Sequence, residues 1–369
     1  MTNCKKYLIA DIYAHSAEHS MINKAFVDFF LKTNSIYLLN ESHATFIGGK
    51  SGFLFKDSMF KGKLLRIINR EFFKLLVFFG YYLRSIVTGR HLVILGASNL
   101  QSFFLSLVFF ITRTNVSWVF HGQTESIIKV ENSTYAQKIF KLAFYFIRNS
   151  NCNILFLSKH IKKELECFDT NGRFFYIPHP IPQSLISNIN PVKQVQRSKL
   201  NSAIVGLLRD DKKNCNKIYD LAKSNRALNL YAIGRSHSDF IVDDNSTVNY
   251  RLWDKIYSDD EFKNAIADVQ IFLYFFDEND YRATASATAL DALVYGKAIF
   301  CFKNDAIESL LDGYPYLHIC NSIENMADEI CSFDHKKMEP KLINEFSQNL
   351  VLKPGSDVYL DFLKWLAIK

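Results

Sequence analysis

Short apolar runs of strand length recur along this chain, and the residues between them fall into helical spacing. KYLIADIYA is followed by HSMINKAFVDFFLKT and then by SIYLLNE. Further on, HLVILGAS, SWVFHG, NILFLS and RFFYIPHP alternate with TYAQKIFKLAFYFIRN and KHIKKELECF. Runs that are apolar nearly throughout suit strands buried on both faces, so the alternation predicts a parallel sheet with helices on each side. After the polar stretch around NINPVKQVQRSKLN the pattern restarts with SAIVGLLR, KNCNKIYDLAKSN, LNLYAIGR, SDDEFKNAIADV, QIFLYFF, ATALDALVYG, KAIFCF and LHIC.

The expected fold class is therefore α/β, with two Rossmann-like, doubly wound domains facing a central cleft. A length of 369 residues accommodates two domains of ordinary size. The predicted divisions are residues 1–185, a linker at 186–200, a second domain at 201–352, and a C-terminal helix at 353–369 packing across the junction. Ligands in such folds bind beyond the carboxyl ends of the strands.

Charge is unevenly shared. Residues 1–190 hold 22 Lys+Arg against 11 Asp+Glu (+11), and residues 191–369 hold 22 against 26 (−4), which together make the net +7. The first half is thus expected to meet something anionic. Nucleic acid is disfavoured, because no recognisable module is present and the aromatics lie in apolar runs. A membrane face suits better. In Phe55 to Ser85, Lys61, Lys63, Arg66, Arg70 and Lys74 interleave with Phe60, Leu64, Leu65, Phe72 and Phe73, as in an interfacial helix on anionic lipid.

No apolar run reaches the roughly 18 residues of a membrane-spanning helix. The N-terminus lacks the apolar core of a secretory signal. The seven cysteines are scattered, with no C-x-x-C pair, as in a reducing compartment. A cytoplasmic protein, peripheral on the inner face of the cytoplasmic membrane, is the expectation.

Candidate chemistry begins with YRATASATALDALVYGKAIF, Tyr281 to Phe300. Small residues and hydroxyls crowd before a helix start, where unpaired N–H groups and the helix dipole favour an anion. Ser286, Ala287 and Thr288 would form that mouth, with Arg282 offering a fork for phosphate. Asp291, one turn in, is placed to accept ribose hydroxyls. An ordinary N-capped helix is the plainer alternative. In AIVGLLRDDKKN, Arg209 and Lys213 follow the first strand of the second domain, so two cations are expected at the same sheet end.

These motifs, in this order, resemble the donor-binding domain of GT-B nucleotide-sugar glycosyltransferases of the large retaining family 4, over about residues 203–300. That family shows a strand, Gly-Leu/Arg and a following Lys, then much later S-G-T/V-x-L-(E/D)-A-L-x-x-G-(K/R)-P-V-I. Here the counterparts are VGLLRDDKKN and SATALDALVYGKAIF. The resemblance implies that Arg209 and Lys213 hold the diphosphate of a sugar nucleotide, that the 285–288 backbone cradles it, and that Asp291 binds the ribose. The family often has a Glu eight residues before its second acid, against the transferred sugar; here that position is Ala283, leaving Asp277, Glu278 or Asp280 as substitutes.

In the first half, His121, Gly122 and Glu125 of WVFHGQTES resemble a His-Gly-x-x-Glu pattern of some surface-polysaccharide glycosyltransferases. HSAEH, His15 to His19, matches an inverted zinc-protease pattern, but it follows a strand and lacks a third ligand, so no metal is expected. Instead His121, Glu125, His15 and Glu18 are the catalytic candidates, with His19 and Gly122 on the acceptor. His179 in PHPIP closes the domain's last strand and is expected to serve geometry.

The resemblance implies a glycosyltransferase, retaining in course, that uses a nucleotide-diphosphate sugar without a metal or other cofactor. Its acceptor would be a lipid-linked or saccharide hydroxyl in bacterial surface polysaccharide synthesis. A sugar-nucleotide 2-epimerase and a catalytically silent scaffold are the rival readings, the latter kept alive by Ala283.

Overall fold

A computed structural model describes residues 6–15, 18–31, 33–48, 52–56, 69–128, 133–186, 200–255, 258–285 and 288–367. The chain divides into two units. The first comprises Met1–Gln183, Ala283–Ala285 and Asn349–Lys369, and the second comprises Ser184–Arg282 and Ser286–Gln348.

The first unit is built on a seven-stranded sheet: β1 (Lys6–Asp11), β2 (Asn34–Asn40), β3 (Gly52–Phe55), β4 (His91–Gly96), β5 (Val116–Phe120), β6 (Cys152–Phe156) and β7 (Phe174–Tyr176). The strands lie in the order β3-β2-β1-β4-β5-β6-β7, and every pairing is parallel. The order reverses between β1 and β4, which is where such sheets open a crevice at their carboxyl ends.

Alternation along β1 sends Leu8 and Ala10 to one face and Tyr7 and Ile9 to the other. On the Leu8 face pack α3 (Lys74–Val87), α4 (Asn99–Thr112) and α5 (Tyr135–Arg148), through Phe78, Tyr82, Phe109, Phe140 and Phe144. On the Tyr7 face pack α1 (Ser20–Phe30) and, near β2, α2 (Glu41–Ile47). Helices α4 and α5 each start in a full capping box, Ser98 with Gln101 and Thr134 with Gln137. Beyond α5 the chain forms α6 (Lys159–Leu165).

The second unit has a six-stranded sheet: β8 (Asn201–Leu208), β9 (Asn229–Ser236), β10 (Asn249–Leu252), β11 (Ile271–Tyr274), β12 (Ala298–Phe302) and β13 (Leu317–Cys320). Its order is β10-β9-β8-β11-β12-β13, again wholly parallel, with the reversal between β8 and β11. Its helices are α7 (Lys217–Ser224), α8 (Asp259–Ala265), α9 (Thr288–Val294), α10 (Asp305–Leu310), α11 (Ile323–Ser332) and α12 (Pro340–Asn349). Lys297, immediately before β12, is buried. Its ammonium donates to the carbonyls of Ile266 (3.0 Å) and Val269 (2.6 Å), and burial pulls its pKa down to about 8.

After α12 the chain rejoins the first unit and ends in α13 (Asp357–Ala367). Phe362 stacks on Phe26 at 5.4 Å, and the Trp365 indole donates to the Asn153 carbonyl at 2.9 Å, so this last helix completes the Tyr7 side of the core. Among the described residues no helix is long and apolar enough to cross a membrane.

Candidate functional site

At the carboxyl end of β1, Asp11 is fully buried, and its carboxylate organises the turn that follows. One oxygen accepts from the amides of Tyr13 (3.0 Å) and Ala14 (2.8 Å), and the other accepts from the Asn23 side chain at 2.6 Å. Asn23 also meets His43 Nε2 at 2.9 Å, and Asn40 donates to the carbonyls of Tyr13 and Ala14. A side chain at Gly96 would put its Cβ 2.7 Å from the Asp11 carboxylate, so β4 comes close enough only because it ends in glycine.

That turn carries His15, Glu18 and His19, while Ser16 and Ala17 lie outside the described residues. The Glu18 carboxylate accepts weakly from the His15 amide at 3.4 Å. His19 sits just before α1 in the left-handed region (φ 54°) and stacks on His121 with ring centroids 4.3 Å apart.

His121 follows β5, and its Nε2 is 2.7 Å from the Leu95 carbonyl, so that nitrogen carries the proton. Burial, then the neighbouring His19, holds its pKa well below the ordinary imidazole value; the Leu95 carbonyl opposes this and His179 adds to it. His179, following β7, is buried and lowered to about 4, chiefly by desolvation. Three imidazoles thus gather at one end of the first sheet. Sequence reading had given His179 a purely geometric part, since its approach to His121 depends on strands far apart in the chain.

Glu125 opens a short helical turn after Gly122–Thr124. Its carboxylate accepts from the Ala283 amide at 3.0 Å and from the Thr284 hydroxyl at 3.2 Å. The Thr124 hydroxyl donates to the Ala283 carbonyl. Gly122 leaves room for the Thr284 methyl, which a Cβ there would meet at 3.4 Å. Ala283 itself is fully buried in the Leu8-side core of the first unit. No apolar pattern marks Ala283–Ala285 as a separate insertion into that unit, and nothing in the sequence pointed to it.

In the second unit, Arg209 and Lys213 leave β8 beside the strand reversal. The Arg209 guanidinium grips Asp211 with Nε and Nη2, both at 2.5 Å, and this pairing raises its pKa. Lys213 is half-buried; desolvation lowers its pKa, while Cys215 and Asp291 pull the other way. Asp291, in the first turns of α9, is therefore close enough to Lys213 to favour its charge. Thr288 starts α9, and its carbonyl accepts from the Tyr274 hydroxyl at 2.8 Å. Gly206 in β8 (φ +89°) faces Thr288, where an added Cβ would lie 3.2 Å from the methyl, so the glycine of VGLLR sets how closely β8 and α9 approach.

Ser286 and Ala287, expected at the helix mouth, lie outside the described residues. Arg282 is exposed, next to Tyr281, which holds a left-handed backbone (φ 60°) and stacks on Phe276 at 4.7 Å. A non-glycine residue in that region stores on the order of 1 kcal/mol. Asp277 and Asp280 are used in holding this loop. Asp277 pairs with Lys217 at 2.8 Å, Asp280 accepts from the Asp277 amide at 3.0 Å, and Asn304 donates to both backbone carbonyls. Glu278 is exposed and pairs with Lys303 at 3.4 Å.

Much of the basic and aromatic stretch expected to form an interfacial helix lies outside the described residues. Lys61, Lys63 and Arg66 lie outside the described residues, as does the Arg70 side chain. Lys74 is buried, with its ammonium over the Phe55 ring at 5.6 Å, so it belongs to the core. Among the described residues no group of three His, Cys, Asp or Glu gathers in a way that would hold a metal.

No family model and no curated protein sequence matches this chain. Solved structures do. The Anabaena protein Alr3699/HepE, in complex with UDP and glucose, superposes with a TM-score of 0.61 at 12% identity, covering 98% of each chain. The catalytic domain of starch synthase IV from Arabidopsis thaliana, bound to ADP and acarbose, gives 0.56 at 10% identity over 99% of each chain. Arabidopsis thaliana UGT89C1 complexed with UDP-L-rhamnose gives 0.54 at 9% identity, again over 99% of each chain. With its two parallel Rossmann-like sheets, the chain has the GT-B fold from end to end. Likeness at these identities carries the fold, and it does not single out family 4.

Proposed function

We propose that this protein is a glycosyltransferase moving a sugar from a nucleotide-diphosphate sugar to a hydroxyl of a lipid-linked or saccharide acceptor in bacterial surface polysaccharide synthesis. The carrying observation is the second sheet's strand reversal, where Arg209, Lys213, Thr288 and Asp291 stand together on a fold whose neighbours hold UDP or ADP. In this reading Lys213 and Arg209 neutralise the diphosphate as it leaves, Ser286 to Thr288 supply backbone amides, Arg282 adds a fork, and Asp291 takes the ribose. Arg209 would exchange its Asp211 partner for phosphate.

The transfer breaks the bond between the sugar's anomeric carbon and the phosphate oxygen, and the nucleoside diphosphate departs with the electron pair. The acceptor oxygen bonds to the anomeric carbon, and its proton passes to a base. We assign acceptor and proton work to the first unit, to His15, Glu18, His19 and the neutral imidazole of His121, with Gly122 giving backbone access. Burial keeps His121 unprotonated near neutral pH, the form a base requires. Glu125 we assign to holding the loop that leads into Ser286. Retention of configuration belongs to the proposal through the family resemblance, and the anomeric proton couplings of the product would decide it. No metal enters the proposed step.

The test is a thermal-shift series of the purified chain with UDP, GDP, CDP, ADP and dTDP, alone and as sugar nucleotides. A rise of several degrees with one of them, abolished in Asp291→Ala and Arg209→Ala, is the expected result and names the base. No shift with any nucleotide would sink the transferase reading and favour the silent scaffold.

A further inference from the structure

We infer that the outer surface of the α3–α4–α5 layer is a docking face for an anionic phospholipid membrane. These three helices lie side by side on the Leu8 face of the first sheet. Tyr82 of α3 packs on Phe109 of α4 at 5.6 Å, and Phe103 and Phe110 of α4 pack on Phe146 of α5 at 6.2 and 5.5 Å. Their inward faces form the core already described. The outward faces, which an ordinary surface helix fills with charged residues, are apolar here.

Leu76, Leu83, Val87, Ile111, Leu142 and Tyr145 are all between 48% and 87% exposed. Single exposed apolar residues need no explanation, but six drawn from three helices packed on one face of the sheet mark an interaction surface.

Charge selects the partner. Helices α3, α4 and α5 contain no Asp or Glu at all, while α3 and α5 carry Lys74, Arg84, Lys138, Lys141 and Arg148. Of these Lys74 is buried, and the others line the apolar surface together with Arg113, which follows α4. Three of the cations lie over aromatic rings of the same surface: Arg113 over Phe110 at 4.8 Å, Lys138 over Tyr135 at 5.7 Å and Arg148 over Tyr145 at 5.2 Å. Each pair presents an apolar ring with a cation at its edge, the combination that suits the boundary between acyl chains and headgroups.

A second copy of this chain is a poorer fit, because a two-fold pairing of acid-free faces would bring like charges together. A sheet of anionic headgroups neutralises every cation while the acyl region takes the leucines. The face differs from the one the sequence suggested: it lies on residues 76–148 and does not use Lys74. It is independent of the nucleotide reading, since no donor or catalytic candidate lies on it.

The experiment is co-sedimentation of the full chain, without nucleotide, with phosphatidylcholine vesicles and with vesicles containing about 30% phosphatidylglycerol. Each exposed cation near an anionic surface contributes roughly fivefold, so a preference for the anionic vesicles of at least tenfold, weakened by salt, is expected. Leu83→Glu with Val87→Glu should lower binding to anionic vesicles at least tenfold, and Arg84→Ala with Arg148→Ala should lower it several-fold. The same charge placed on the second unit, Ile241→Glu with Val242→Glu, should leave binding unchanged and serves as the folded control. All these positions but the half-buried Arg148 are exposed, and an unchanged melting temperature confirms the fold. Equal binding to both vesicle types, no binding to either, or insensitivity to Leu83→Glu with Val87→Glu overturns the inference. So does a wild-type dimer that this pair of changes converts to a monomer without affecting vesicle binding.

Discussion

The two units share one architecture and differ in what they place at its functional end. Both sheets are wholly parallel, and each reverses strand order once. The first brings His19, His121 and His179 together at its carboxyl end and leaves an acid-free helical layer on one face. The second brings together cations and acids, Arg209 and Lys213 with Asp211 and Asp291. The imidazoles of His121 and His179, held neutral by burial, suit proton transfer, and paired cations suit a departing diphosphate. The units also differ in continuity. The first is closed by segments from far along the chain, Ala283–Ala285 and Asn349–Lys369, whereas the second is nearly one stretch.

That difference in continuity predicts the largest effect. Trp365 is fully buried in the first unit's core and donates to Asn153. Trp365→Ala is expected to cost about 4 kcal/mol, from lost burial plus an uncollapsed cavity. The loss should be confined to the unit that the helix closes. Hydrogen exchange should show amides of β6 and β7 losing protection while those of β8 and β12 keep theirs. An equal loss in both sheets would break the distinction between the units.

A pH series comes next in size. His179 has a folded pKa of about 4 against an ordinary 6.5. Between those values the unfolded chain takes up a proton that the native chain refuses, so stability falls as pH drops from 6.5 to 4 and is unaffected above that window. At about 1.4 kcal/mol per unit the loss is about 3 kcal/mol, with His121 adding in the same direction because burial lowers it too. His179→Asn should flatten the difference between urea midpoints at pH 7 and pH 4. A variant as acid-sensitive as the wild type would mean that other groups carry the effect.

How far these features were legible in the sequence follows from how local each one is. Strands such as HLVILGAS and QIFLYFF, buried on both faces, announce themselves by unbroken apolar runs, and the observed β4 and β11 fall inside them. Edge strands β3 and β10 were missed: GFLF is too short an apolar run to read as a strand by itself, and NYRL is half polar. The β8 and α9 motifs were readable because glycine and small residues are local answers to close approach, as Gly206 against Thr288 shows. The Asp11–Asn23–His43 network was not, since it joins three elements whose pairing only the fold reveals. Lys74 misled for the converse reason: its neighbours in sequence are basic, while its neighbour in space is the Phe55 ring.

The charged end of the second sheet predicts a separation of functions. Lys213→Ala and Asp291→Ala should each weaken nucleotide binding on the order of a hundredfold, equivalent to about 2.7 kcal/mol, as measured by titration calorimetry. His121→Ala should leave nucleotide affinity within twofold while lowering turnover at least a hundredfold, if its imidazole acts on the acceptor. Loss of nucleotide binding in His121→Ala would instead mean that the two sheet ends do not divide the work.

The smallest expected effect concerns Glu125, where holding a loop and doing chemistry make different demands on the same carboxylate. Its Oε2 accepts from the Ala283 amide and the Thr284 hydroxyl, and a glutamine side-chain oxygen accepts equally well. Alanine cannot, so Glu125→Ala should destabilise by about 1–2 kcal/mol, allowing for partial exposure, and should raise the exchange rate of the Ala283 amide. Glu125→Gln should keep that amide protected and most of the turnover, because the loop into Ser286 stays in place. A carboxylate acting on a proton would behave otherwise. Glu125→Gln would then lose at least a hundredfold in turnover with the Ala283 amide still protected, and the loop-holding assignment would give way to a catalytic one.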